Sequence, residues 1–166
     1  WFNRLMAITI LEKNNYITPV LPFAEGTRTP AIVQNARRGM HKLNNSAMQD
    51  SLNEYLREDK DAEAFNLLIT DFCNHSSLLY NVFGRMDDYT ELLIPANLLM
   101  ENGFLDKLNN SDAIADEDYR QVELIGWMYQ FYISEKKDEV FKGFKNKKKA
   151  RPEDIPAATE IFTPRW

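Results

Sequence analysis

Six cations crowd together near one end of this 166-residue chain: Lys142, Lys145, Lys147, Lys148, Lys149 and Arg151. Such groups neutralise phosphates without reading bases, and the strength of their contacts falls steeply with salt. A solvated, flexible linker would carry the same residues, and both readings stand. Arg37 and Arg38, displayed on a helix, are a second pair of nucleic-acid candidates. Cys73-Asn74-His75-Ser76-Ser77 is the one place where thiol, imidazole and hydroxyl cluster. A zinc site needs about four ligands, and besides carboxylates the sequence offers only Cys73, His75 and the distant His41. No metal site and no catalytic residue is therefore expected, and Cys73 reads as a small apolar side chain. The trio Asp116, Glu117, Asp118 suits the positive N-terminus of a helix. Trp127, Tyr129, Phe131 and Tyr132 are numerous enough for a base-stacking platform, but their helical spacing assigns them to a core.

These residues must be held by one folded domain and a tail. The composition, 44% hydrophobic and 12% aromatic, is that of a globular chain. Its net charge of −5 hides a strong asymmetry. Residues 1–42 carry a net +4, residues 43–135 a net −13 and residues 136–151 a net +6. The acidic middle is a poor phosphate-facing surface, whereas either basic end suits DNA. No run of 18 apolar residues occurs, so no membrane partner is expected. The start at Trp1, without a Met or a leader, reads as an excised piece. A single cysteine, which cannot form an internal disulfide, fits a cytoplasmic location.

Periodicity predicts an all-α fold. Leu5, Ile8 and Leu11 mark a helix over 2–14, stopped by Asn14-Asn15. A proline-bearing loop over 17–29 leads to a helix opening at Thr29-Pro30, with Ile32, Val33, Ala36 and Met40 on one side. Ser46 caps a helix to about Leu56, and Asp59 or Asp61 caps another that runs through Phe83, where Phe65, Leu68, Ile69, Phe72, Leu79 and Phe83 recur at three- and four-residue intervals. A short helix from Pro95 to Glu101 closes at Gly103 as a left-handed cap, and Phe104, Leu105 and Leu108 form another. The longest helix starts at Asp116, runs to Phe144 and, apolar on two sides, is expected to be central, with Trp127 and Phe131 buried. Domain boundaries follow: a helical domain at 1–144, a basic linker at 145–155, and the start of a further domain at 156–166.

That last segment, Ile155-Pro156-Ala157-Ala158-Thr159-Glu160-Ile161-Phe162-Thr163-Pro164-Arg165-Trp166, resembles the sequence that introduces the S-adenosylmethionine domain of BREX-type, PglX-like adenine-specific DNA methyltransferases. Arg4-Leu5-Met6-Ala7-Ile8, Glu91-Leu92-Leu93-Ile94-Pro95-Ala96-Asn97-Leu98-Leu99 and Glu123-Leu124-Ile125-Gly126-Trp127-Met128-Tyr129-Gln130-Phe131-Tyr132 extend the likeness over nearly the whole chain. The resemblance implies that Phe162, Thr163 and Pro164 belong to an incomplete S-adenosylmethionine site, with the Thr163 hydroxyl near the methionine end. The six glycines, Gly26, Gly39, Gly84, Gly103, Gly126 and Gly143, form no glycine-rich turn for that cofactor, and no Pro-Pro pair supplies the family's catalytic segment. No cofactor is therefore expected in this piece by itself. The resemblance further implies a parent enzyme that methylates adenine N6 in double-stranded DNA as part of phage defence, with a restriction-modification context open. This domain would clamp DNA or brace the catalytic domain; the alternative is a module that docks other defence-system subunits.

Overall fold

The computed structural model describes residues 1–43, 45–86, 93–121, 123–145 and 152. The described residues form helices and connecting turns and contain no strand; one isolated bridge joins Phe23 to Pro30. The helices are α1 (Phe2–Lys13), α2 (Ala31–Arg37), α3 (Ser46–Arg57), α4 (Asp61–His75), α5 (Ser77–Phe83), α6 (Phe104–Asn110) and α7 (Leu124–Lys145), with a 3-10 turn at Asp118–Arg120. The all-α expectation holds. The chain divides into two compact units, Trp1–Asp116 and Glu117–Trp166, a division that falls inside the span 1–144 read from sequence as one helical domain.

In the first unit α4 is the hub, with α2, α3 and α5 packed upon it. Its Ala64, Phe65, Leu68 and Ile69 are fully buried, among Leu5 and Ile8 of α1, Val33 of α2, Leu52 of α3 and Leu105 of α6. Burial of this apolar set is the main stabilising term for the unit. The longest helix, α7, belongs to the second unit.

Local chemistry explains the ends. The Asn14 side chain donates to the Ile10 carbonyl at 2.9 Å and Asn15 adopts a left-handed φ of 59°, so α1 stops where expected. The Glu12 carboxylate then accepts the backbone N–H groups of Val20 and Leu21, which ties the following loop back to α1. Burial raises the pKa of Glu12, against the opposing pull of those two hydrogen bonds. Asn45, one residue earlier than expected, caps α3 by accepting from Met48 N at 3.2 Å. Ile32, Val33 and Ala36 of α2 are buried as expected, but Met40 is 74% exposed. Gly39, at φ 72°, takes the chain off the helix axis before Met40 can join that face.

Three further expectations are corrected. The helix expected to run unbroken to Phe83 breaks at Ser76, whose extended backbone ends α4 and opens α5. Asn74 accounts for the break: its side chain donates to the Met86 carbonyl at 2.8 Å and accepts Met86 N at 2.7 Å, fastening the chain beyond α5 to the end of α4. Residues 96–101 form turns rather than a helix, and Asn102, not Gly103, is left-handed. Gly103 opens α6 instead, where a Cβ would collide with the Asn97 carbonyl oxygen. Finally, α7 starts at Leu124, not Asp116, because Gln121 is extended and the 3-10 turn absorbs Asp118. In the second unit Tyr119, Leu124 and Val140 are buried and Trp127 only half-buried; the Phe131 side chain lies outside the described residues.

Candidate functional site

Lys142 and Lys145 lie in the last turn of α7, both exposed. Cations are favoured there by the partial negative charge of the helix C-terminus, so their position suits the helix whether or not a phosphate is near. Lys147, Lys148, Lys149 and Arg151 lie outside the described residues, as do Phe162, Thr163 and Pro164 of the cofactor element.

Arg37 and Arg38 end α2 but meet different surroundings. The Arg37 guanidinium donates to the Leu56 carbonyl at 2.9 Å, to Asp59 at 3.0 Å and to Asp61 at 2.6 Å. Asp61 foremost, with Asp59, raises its pKa. Its charge is thus compensated by two carboxylates, and its role is to tie α2 to the turn between α3 and α4. Arg38 is exposed and donates to Gln34 Oε1 at 3.3 Å.

The sulfur-imidazole cluster is pulled apart by the helix that carries it. Cys73 is buried against the core, where desolvation pushes its thiol up to about 11. His75 faces solvent beside the Asp71 carboxylate, at 3.2 Å. Among the described residues no group of three or more His, Cys, Asp or Glu is placed to hold a metal. None of their helices is long and apolar enough to cross a membrane.

Two features escaped sequence reasoning. Arg4 is buried, donates to the carbonyls of Phe83 at 2.7 Å and Gly84 at 3.3 Å, and stacks near the rings of Trp1 and Phe83. Its periodic position on the apolar side of α1 was the available signal. A polar cleft lies between the 23–28 turn and α6, with Arg28, Asp106, Asn109 and Asn110 on its walls. Asn109 holds that turn by accepting Phe23 N at 3.0 Å and donating to the Leu105 carbonyl at 2.8 Å. Nothing in the sequence joined Phe23 to Asn109.

Comparison with known proteins bears out the resemblance. The chain is 36% identical, over 171 aligned residues that cover all of it, to the adenine-specific methyltransferase BrxX of Escherichia coli O9:H4 (strain HS). It is 34% identical, over 178 aligned residues and again its full length, to the adenine-specific methyltransferase PglX of Lacticaseibacillus casei (strain Zhang). It spans about 14% of the length of each of these relatives. No family model matches the chain, and no solved structure does so.

Proposed function

We propose, for a chain that belongs with the BREX-type, PglX-like adenine-specific methyltransferases over its whole length, that it is a non-catalytic helical part of such an enzyme. The end-to-end match to a 14% share of two adenine-specific methyltransferases is the observation that carries this reading. The whole enzyme transfers the methyl group of S-adenosylmethionine to adenine N6 of double-stranded DNA, marking host DNA in phage defence or restriction-modification. The cofactor's adenosyl and methionyl groups require close backbone approach at a glycine-rich turn, which this sequence lacks. They are held by the remainder of the polypeptide, with Phe162, Thr163 and Pro164 contributing the edge nearest the methionine end.

In this reading the chain helps to clamp DNA and to brace the catalytic part. Its phosphate contacts are Lys142, Lys145, Lys147, Lys148, Lys149 and Arg151, with exposed Arg38 as a further contact. Arg37, already satisfied by Asp59 and Asp61, serves to fix the helix that displays Arg38. The second reading, a module that docks other defence-system subunits, draws on the acidic turn between α3 and α4, where Lys60 lies in the field of Glu58, Glu63 and Glu54.

The test replaces those six basic residues of 142–151 with Gln in the full-length enzyme. DNA affinity should fall alike on every sequence, and the slope of log affinity against log salt should become shallower by roughly 0.9 for each phosphate no longer neutralised. Target preference should survive, because phosphate contacts position the protein and base contacts specify the site. Unchanged affinity and slope would leave the tail a solvated linker and favour docking.

A further inference from the structure

Helix α5 lies in the longest uncharged stretch of the chain. From Phe72 to Gly84 there is no Asp, Glu, Lys or Arg, in a sequence that is 27% charged. Leu79 is buried, but Leu78 is 55%, Tyr80 46% and Val82 73% exposed. Leu78 and Val82 are one turn apart and so share a face. This face is not loose. Arg4 holds the carbonyls of Phe83 and Gly84 at the helix end, and Asn74 clasps Met86 just beyond.

An apolar, uncharged surface on a fixed element has the composition of an interface centre, and its rigidity lowers the ordering cost of association. It offers no cation to a phosphate backbone. The chain spans only 14% of its relatives, so most of such a polypeptide lies outside these residues and needs a surface on which to seat. We propose that the Leu78–Val82 face of α5 is that seat, covered by an apolar surface of the catalytic methyltransferase domain of the same polypeptide. The inference rests on the reading that such a domain accompanies this chain.

Thiol labelling of the full-length enzyme tests it, with peptide-resolved mass spectrometry as the readout. Val82→Cys and Met40→Cys are compared, since both positions are highly exposed within this chain and buried Cys73 serves as a slow internal reference. A covered face makes Val82→Cys react at least about tenfold more slowly than Met40→Cys, because reaction must await local opening. Equal rates would overturn the proposal. So would protection that vanishes on dilution, which would assign the face to a second copy. Leu78→Lys combined with Val82→Lys should split one thermal transition into two, and Met40→Lys should not; identical behaviour of the two variants counts against α5. Adenine methylation by the wild-type enzyme is measured alongside. Its absence defeats the methyltransferase reading, whereas methylation with a freely labelled Val82→Cys defeats only the seat.

Discussion

The Arg4 guanidinium meets Phe83 twice, donating to its carbonyl oxygen at 2.7 Å and lying 5.5 Å from the centre of its ring. One side chain of α1 thereby satisfies the end of α5, where carbonyls lack helical partners. Arg4→Ala should destabilise the protein by about 2–3 kcal/mol, the scale of losing charged hydrogen bonds in a buried setting. Arg4→Lys should recover only part of this, since an ammonium cannot stack as a planar guanidinium does. Urea unfolding of the two variants decides it; full recovery by Lys would reduce Arg4 to a simple charge.

Phe65 is fully buried at the hub of the first unit, whereas Trp127 in the second is only half-buried. Phe65→Ala should cost about 3–5 kcal/mol by opening a core cavity. Trp127→Ala should cost less, despite removing the larger ring. Calorimetry giving the reverse order would mean that α7 and not α4 holds the core.

Cys73 provides a test by pH. Burial raises its thiol from the ordinary value of 9.0 to about 11, so the folded state favours the protonated form. The raised pKa contributes stability that is fully present below pH 9.0 and is lost as pH climbs to about 11. The total is about 3 kcal/mol. Cys73→Ala should flatten this part of the stability profile, and wild-type and variant curves that run parallel above pH 9.0 would contradict the assignment.

The proposed methyltransferase reading requires that, in the longer polypeptide, Thr163→Ala and Phe162→Ala each weaken S-adenosylmethionine binding by about tenfold, the scale of removing a single favourable interaction. Isothermal titration reads this directly. Unchanged affinity for both would remove this segment from the cofactor site.

What could be read from the sequence was local. The stripe of Phe65, Leu68, Ile69 and Phe72 announced α4, and Asn14-Asn15 announced the end of α1, because spacing and side-chain-to-backbone bonds act over a few residues. What could not be read depends on partners far along the chain. The Ser76 break follows from Asn74 reaching Met86, and the loss of Asp116 from the long helix coincides with its pairing to Lys13. Arg37 looked like a free cation because Asp59 and Asp61 lie more than twenty residues away. At the candidate site, residue types at 142–151 pointed to phosphate contact, but charge alone does not separate a DNA-binding tail from a solvated one. The relationship to methyltransferases was legible because it rests on motifs rather than on contacts.

Asn74 gives and receives one hydrogen bond with the same residue, much as a neighbouring strand would. That symmetry makes the position intolerant of a carboxylate. Hydrolysis of the amide to aspartate keeps the oxygen that accepts Met86 N but replaces the donor with a second oxygen, aimed at the Met86 carbonyl across 2.8 Å. Attraction becomes repulsion at one atom, with no change in size. Loss of that one amide nitrogen would therefore loosen the clasp between the end of α4 and the residue that follows α5.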